Sequence, residues 1–370
     1  MRLLRIILLL AAVLLTGGCT MLGYYAQAIG GQLDILARTR PIVELLDDIP
    51  GADGESVCLE PAVKARLATI LQVRDFATAA LALPNNNSYR VYVHLDRSQV
   101  AWNVVATPEF SLAPKKWCFP IAGCVPYRGY FSEQRAKHFA VTLKHDNLDV
   151  RVAGVTAYST LGWFTDPMFS TLMRRADADI TALIFHELAH QRLYRSGDTA
   201  FNESFATVVE GEGLRRWLLH RNDLLALEIW ERDRKRQNEF VELLHKHRAH
   251  LQVLYASALL EAAIRAAKVH AFDALRAEYA ELRNRWGGYA GYDAWFAQDL
   301  NNAHLAAVGL YHQHVPAFQA LLARDQGDLA AFYRSARALS RLPEVERRKQ
   351  LDVLSQEAFA NTSVREILIK

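Results

Sequence analysis

The spacing of hydrophobic residues divides the chain into a first half with strand patterns and a second half with helical patterns. Apolar and polar residues alternate over 90–95 and 149–157, and 99–106 is rich in valine and tryptophan, as in half-buried strands. Over 224–267 and 271–285, apolar residues recur every three or four positions with charged residues between them, which predicts amphipathic helices. Further helical segments are expected at 24–38, 294–323 and 329–357.

The prolines follow the same division. Eight of the eleven fall within 41–126, and none lies between Pro167 and Pro316. Because proline interrupts helices, a long stretch without proline permits long helices. The sequence therefore predicts an α+β fold, with a small sheet-rich part at about 56–166 followed by a large, mainly helical part at about 167–370. The two parts are expected to form a single unit.

Composition and charge exclude several classes of protein. With 51% hydrophobic and 22% charged residues, the chain is neither disordered nor a coiled coil. Its formal net charge is 43 − 40 = +3, and removal of residues 1–18, which contain Arg2 and Arg5, leaves 41 − 40 = +1. Such a nearly neutral chain does not predict a broad basic surface patch, and we therefore expect no nucleic-acid partner.

The first twenty residues predict export and a lipid anchor. A short basic start, Met1–Arg5, precedes the apolar run Ile6–Leu15, which is too short to span a bilayer and is typical of a signal peptide. Two glycines and Cys19 follow, so we expect cleavage after residue 18 and lipid on the Cys19 thiol. Thr20 favours the outer membrane over the inner one. An ordinary signal with a coincidental cysteine, or an uncleaved anchor, is the alternative.

The remaining cysteines fit an oxidising compartment. Cys118 and Cys124 flank five turn-forming residues, which can bring the two within bridging distance, and exported proteins form such disulfides. A metal site at this pair is the rival interpretation, although no second pair of ligands lies nearby. Cys58 is left over and is expected to be a small buried residue.

The strongest chemical signal is an HExxH motif formed by His186, Glu187 and His190. Asp179 can cap a helix through the motif, and the i, i+4 spacing then places both imidazoles on one face, where they can bind one Zn²⁺ ion. Glu187 borders that face and can reach a metal-bound water rather than the metal. It is thus placed to act as the general base in attack on a carbonyl. Two buried histidines without a metal are the alternative.

A catalytic zinc needs a third protein ligand, and Glu203 is the predicted one. The first helix should end near Ser196–Gly197, and Asp198 can cap a second helix over 199–219. In an antiparallel pair with its turn at that point, His190 and Glu203 lie level with one another. Glu210, two turns further along the same face, is the second choice. Asn202 and Asp198 are candidates for contacts that support the ligands.

With its HExxH motif followed by a helix that contains the Asn202-Glu203 pair, the sequence resembles the gluzincins, which share this arrangement. More narrowly, it is similar to a family of bacterial lipoproteins described as aminopeptidases. The resemblance covers nearly the whole mature chain, including YYAQAIGGQLDILARTRPI (24–42), FSLAPKKWCFPIAGCVPYRGYF (110–131), GVTAYSTLGWFTDP (154–167) and LNNAHLAAVGLYHQHVPAF (300–318). It implies zinc ligation by His186, His190 and Glu203, with Glu187 as base. The gap of twelve residues before Glu203 is shorter than in better-known gluzincins.

Other residues are candidates for binding the substrate. Peptide hydrolysis needs a hydrogen-bond donor for the developing oxyanion, and Tyr158, Arg128 and Tyr130 are candidates, each with an ordinary structural role as the alternative. In an exopeptidase an acidic group such as Glu210 or Glu212 could hold the free amine of the substrate.

The sequence therefore predicts a lipid-anchored zinc metallopeptidase that faces the periplasm and acts on peptides as an aminopeptidase. One alternative is a zinc-binding scaffold protein of the envelope without activity. The other is a zinc hydrolase that acts on cell-wall peptides. The intact Glu187 favours an enzyme, because a ligand set alone does not need that carboxylate.

Overall fold

The computed structural model describes residues 23–50, 59–119, 123–157, 159–160, 162, 164–308 and 313–368. The predicted signal peptide, Cys19, Cys58 and Tyr158 lie outside these residues, and what the sequence predicts for them stays a prediction. Within the described ranges, no helix is both long enough and apolar enough to cross a bilayer.

The first half contains short strands with four helices among them. In chain order its elements are α1 (23–37), β1 (Arg40–Pro41), α2 (Ile42–Leu46), α3 (Pro61–Ala79), β2 (Val91–Val93), β3 (Ala101–Pro108), β4 (Trp117–Phe119), β5 (Gly123–Val125), β6 (Arg128–Tyr130), α4 (Glu133–His145), β7 (Leu148–Val155) and β8 (Met168–Phe169). Of these elements, the sequence analysis had predicted α1 and the strands β2, β3 and β7, so the other strands and the helices α2, α3 and α4 are additions. Helices α3 and α4 begin at positions suited to helix starts, since Pro61 is the first residue of α3 and Ser132 caps α4 through the Arg135 N–H.

The main sheet has the order β6-β3-β7 and is antiparallel throughout. Strand β3 pairs with β7 over its whole length, from Ala101 opposite Val155 to Pro108 opposite Leu148. Helix α4 covers one face of this sheet, where Ala136 and Ala140 pack against Val104. A second, smaller sheet, β1-β2-β8, contains the parallel pair β2 and β8.

The second half is helical. Its elements are α5 (Asp177–Arg192), α6 (Thr199–His220), α7 (Leu224–Tyr255), α8 (Glu261–Arg285), α9 (Asp293–Phe296), α10 (Asn302–Val308), α11 (Val315–Arg324), α12 (Leu329–Arg341) and α13 (Glu344–Leu368). The predicted mainly helical α+β fold is confirmed.

Several helix ends differ from their predicted positions. Helix α5 begins at Asp177 with Ala176 as its N-cap, so Asp179 lies in the first turn. It ends at Arg192 rather than near Ser196, because Leu193 is already extended. The expected helix at 224–267 ends at Tyr255, the one at 294–323 is three short helices, and the one at 329–357 breaks before Glu344.

Two hydrophobic cores hold the helical half. The larger lies between α3, α5, α6 and the C-terminal helices, where Phe185, Phe205, Phe318 and Phe332 are completely buried. The smaller one lies under the α7–α8 hairpin. Helices α5 and α6 are therefore fixed by packing on several sides, which makes them a rigid support for side chains that project from their shared face.

Candidate metal centre

The site is built on the antiparallel pair of α5 and α6. The two helices approach closely at Gly213, where an added Cβ would lie 2.8 Å from the Phe185 ring and 2.9 Å from Leu81. A larger residue at 213 would push the helices apart. The close approach lets short-range contacts form between the side chains on the facing surfaces of α5 and α6.

The loop between the helices is fixed by residues that the sequence analysis placed in a supporting role. Asn202 accepts a hydrogen bond from the Arg195 N–H at 2.7 Å and donates one to the Arg195 carbonyl at 2.8 Å. Asp198 caps α6 by accepting from the Phe201 N–H, and its other oxygen pairs with the buried Arg347 guanidinium at 2.7 Å. These contacts fix the register of α6 against α5 and hence the position of Glu203.

Three side chains converge on one point between the helices. The Nε2 atoms of His186 and His190 lie 3.2 Å apart. Glu203 places Oε2 3.3 Å from His186 Nε2 and Oε1 3.6 Å from His190 Nε2. Tetrahedral zinc with bonds of about 2.0–2.1 Å needs ligand atoms about 3.3–3.4 Å apart, and the three residues offer one ligand atom each within 4.8 Å of one another. This group could therefore hold a metal ion.

Glu210 contacts the opposite nitrogen of His186. Its Oε2 lies 3.0 Å from His186 Nδ1, while its Oε1 faces Arg234 of α7 at 3.9 Å. A carboxylate on Nδ1 keeps the proton of a neutral imidazole there and leaves Nε2 free to bind a metal. Glu210, the second choice for third ligand, is thus placed to orient His186 instead of binding the ion directly.

Without a metal, hydrogen bonds and charges within the group shift the pKa values of Glu203 and His186 in opposite directions. The pKa of Glu203 is lowered to about 2, because burial, which would raise it, is outweighed by hydrogen bonds from both histidines. The pKa of His186 is raised well above its usual value, since the hydrogen bonds to Glu203 and Glu210 outweigh the opposing effect of burial. A negative carboxylate therefore stays in place beside the two imidazoles at neutral pH.

Glu187 lies beside the three converging groups. Burial is the largest cause of its raised pKa, the two imidazoles oppose it, and the charges of Glu203 and Asp166 add to it. Asp166 itself is buried and accepts hydrogen bonds from Ser159 Oγ, from the Thr160 N–H and hydroxyl, and from Gln191 Nε2. A carboxylate with a raised pKa is better suited to accept a proton and later release it near neutral pH.

Two tyrosines that the sequence analysis missed also face the site. The Tyr194 ring lies 6.0 Å from the His190 ring, and its hydroxyl hydrogen-bonds the Asn202 side chain. The pKa of Tyr127 is raised by burial first, and then by Tyr194 and by the charges of Glu203 and Glu187. Both rings stay partly exposed, at 37% for Tyr127 and 48% for Tyr194. Tyr194 could have been found from sequence, because it lies four residues after His190.

The structure places the predicted substrate residues Arg128 and Tyr130 in the aromatic layer around α1 and α4. The Arg128 guanidinium lies 4.1 Å from the Tyr24 ring centre and 4.6 Å from that of Phe139, and Tyr130 is buried. These contacts turn both side chains toward that layer. Glu212, proposed as an amine-binding group, pairs with Arg215 and Arg216.

Cys118 and Cys124 form a disulfide, with an S–S distance of 1.98 Å, across the β4–β5 hairpin. The hairpin leads directly into Tyr127 and β6. The disulfide therefore closes the loop that precedes one of the two tyrosines at the site.

Comparison with known proteins gives one match. Residues 23–351 match the protein family described as "Putative aminopeptidase". No curated protein and no solved structure matches the chain. The matched segment includes every residue of the converging group.

Proposed function

The chain belongs to this aminopeptidase family, and from that premise we propose that it is a zinc-dependent peptidase that cleaves residues from the N-terminus of peptides. The observation that carries the proposal is the convergence of His186, His190 and Glu203 beside Glu187. A metal-binding role alone would explain the convergence of His186, His190 and Glu203. The carboxylate of Glu187, held close to them but outside the ligand set, is what catalysis requires in addition.

The donor set favours zinc. Two imidazole nitrogens and one carboxylate, with ligand separations of 3.2, 3.3 and 3.6 Å, suit a tetrahedral ion that keeps its fourth position open. When bound, zinc would polarise the scissile carbonyl and lower the pKa of an attacking water. His190 Nδ1 is buried and has no hydrogen-bond partner among the described residues, whereas Glu210 holds Nδ1 of His186. The two imidazoles would thus contribute unequally to metal affinity.

Glu187, Tyr194 and Tyr127 each have a separate part in proton transfer and hydrogen bonding. Glu187 accepts the proton of the attacking water at its carboxylate and then delivers that proton to the nitrogen of the scissile amide, which leaves as the new N-terminal amine of the shortened peptide. Its raised pKa supports both transfers. Tyr194 and Tyr127, whose pKa values are raised by burial and by Glu203, keep their hydroxyl protons and can donate to the carbonyl oxygen as negative charge develops there.

We propose further that Cys19 carries lipid and holds the mature protein on the periplasmic side of the outer membrane. The basic start, the apolar run and the Gly-Gly-Cys sequence support this assignment. The disulfide between Cys118 and Cys124 supports export, because such bonds persist in oxidising compartments.

The catalytic proposal is tested by metal analysis of the purified protein together with digestion of a peptide library. We expect about one zinc per chain and release of N-terminal residues from peptides with a free amine, but not from N-acetylated versions of the same peptides. Glu187→Gln should keep zinc and lose nearly all turnover, whereas His190→Ala should lose zinc and turnover together. Full activity in zinc-loaded Glu187→Gln would refute the proposed base. An inactive wild type with bound zinc would instead favour a scaffold protein.

The anchor is tested by mass spectrometry of protein extracted from membranes. We expect a mature chain that begins at a lipid-modified Cys19, with no residue before it. An unmodified Cys19 in a protein recovered from the soluble fraction would contradict the assignment.

A further inference from the structure

Helix α1 packs only one of its faces against the rest of the protein. On that face, Gln27 accepts a hydrogen bond from the Phe131 N–H at 3.0 Å, and Ile35 is almost completely buried. Gly31 lies directly against the Phe131 ring, where an added Cβ would approach within 2.2 Å. The packed face therefore fixes the rotation of the helix and determines which residues point outward.

The outward face of α1 is apolar along its whole length. Ile29, Leu33 and Leu36 are exposed by 59%, 59% and 40%, at the i, i+4, i+7 spacing of a single helical stripe. The other exposed positions between 23 and 37 are glycine or alanine. A helix that faces water normally carries polar residues on its outer side. The α1 stripe, defined as Ile29, Leu33 and Leu36, is thus a surface that lacks its partner in the described chain.

The place of this helix in the chain indicates what covers the stripe. Only residues 20–22 separate Cys19 from Gly23, the first described residue of α1. At about 3.5 Å per residue, this connection reaches at most about 14 Å. A lipid on Cys19 would therefore hold the start of α1 at the membrane surface. Tyr25 lies near this end, beside the stripe, and tyrosine is enriched at the level of lipid headgroups.

From these observations we propose that the α1 stripe lies in the interface of the membrane to which Cys19 is attached. The inference rests on the proposed lipidation of Cys19. Binding is driven by apolar burial and not by charge, because the charged residues nearby, Asp34 and Arg38, pair with each other at 2.8 Å. Most interfacial helices carry a lysine- and arginine-rich face that favours anionic lipids. This one should need no anionic lipid.

The contact would fix the orientation of the protein on the membrane. The inner face of α1 contacts β6 through Gln27, which donates a hydrogen bond to the Gly129 carbonyl, and the strand follows Tyr127 directly. A lipid on Cys19 alone would not set the angle between the body of the protein and the bilayer. A docked α1 holds the sheet, and with it the tyrosine beside the candidate metal centre, at a set angle to the bilayer.

The proposal is tested with the lipidated full-length protein in vesicles of phosphatidylcholine. A fluorophore is attached at Leu33→Cys in a Cys58→Ser background, and a matched protein carries it at Val345→Cys, which is 83% exposed on α13. We expect lipids brominated on their acyl chains to quench the label at 33 strongly and the label at 345 hardly at all. Quenching should persist at high salt and should not increase when anionic lipid is added.

A second measurement separates this inference from the anchor itself. The unlipidated chain that starts at residue 20 should still partition weakly into the same vesicles. Leu33→Asp should reduce that partitioning roughly tenfold or more, given the half-buried leucine that is lost, while Val345→Asp should leave it unchanged.

The outcomes discriminate clearly. Lipid found on Cys19 together with an unquenched label at 33 would refute docking of the stripe and leave the anchor standing. An unmodified Cys19 would refute the anchor, and the partitioning of the unlipidated chain would then decide on the stripe alone. A different result would be a label at 33 that is shielded from water at high protein concentration only, without being quenched by lipid. That result would mean that a second copy of the chain covers the stripe, and it would overturn the proposal.

Discussion

Removal of Glu203 should weaken zinc binding far more than removal of Glu210, although both carboxylates contact His186. Glu203 reaches the Nε2 atoms of both histidines, at 3.3 and 3.6 Å, whereas Glu210 reaches only Nδ1 of His186, at 3.0 Å. The first contact lies on the side where an ion would bind. The second lies behind the ring and acts on the ion only through the orientation and proton of the imidazole.

The expected magnitudes follow from this difference. Structural zinc sites bind with about 10–16 kcal/mol, or about 2.5–4 kcal/mol for each of four ligands, so loss of Glu203 should raise the dissociation constant by about 60- to 10³-fold. Loss of a carboxylate behind a ligating histidine typically costs about ten- to a hundredfold. Glu212→Ala serves as the control on the same helix, because Glu212 pairs with Arg215 and Arg216 and not with a histidine.

The assay is competition for zinc against a chromogenic chelator at fixed pH, with circular dichroism to show that each variant is folded. We expect the order of affinity to be wild type equal to Glu212→Ala, then Glu210→Ala, then Glu203→Ala. If Glu210→Ala lost more affinity than Glu203→Ala, the assignment of the third ligand would be wrong. Normal affinity in both variants would place that ligand elsewhere in the chain.

Three further predictions concern other parts of the molecule. Tyr194→Phe should bind zinc normally but lower kcat by on the order of a hundredfold, as measured with a free-amine peptide, if its hydroxyl donates to the oxyanion; an unchanged kcat would exclude that role. In denatured, unreduced mature protein, a thiol reagent should label Cys58 but neither Cys118 nor Cys124. Burial lowers the pKa of His304 from 6.5 to about 3, so the unfolded chain binds more protons between these values and stability falls as the pH falls. In urea unfolding at several pH values, His304→Gln should lessen this dependence by about 1.4 kcal/mol per pH unit, and an unchanged slope would contradict it.

The residues of the converging group could be predicted because local geometry determines most of their arrangement. The i, i+4 spacing of His186 and His190 already fixes their shared face on any helix. Glu203 required one further assumption, a short turn between two antiparallel helices, and that turn is present between the end of α5 at Arg192 and the start of α6 at Thr199. The predicted end was four residues too late, yet α5 and α6 still bring the glutamate level with the histidines.

The helices of the first half were harder to predict for a physical reason. Helix α3 has little amphipathic contrast: it buries Leu67, Ile70 and Val73 on one side, and even Arg74 is buried, held by carbonyl oxygens of the following loop. A charged residue on the inner face breaks the apolar spacing by which helices are recognised. Pro61 at its start was the available signal.

The environment of Glu187 illustrates where sequence reasoning reaches its limit. The motif identifies the carboxylate, but its raised pKa arises from burial and, in smaller part, from the charge of Asp166. Asp166 accepts a hydrogen bond from Gln191, one turn beyond Glu187 on α5, and its own N–H donates one to Ser88 Oγ, 78 residues earlier in the chain. Neither contact leaves a periodic trace in the sequence, because each joins a loop to a distant element. The identity of a general base can thus be predicted from a short motif, whereas the strength of that base depends on long-range contacts that only the folded chain supplies.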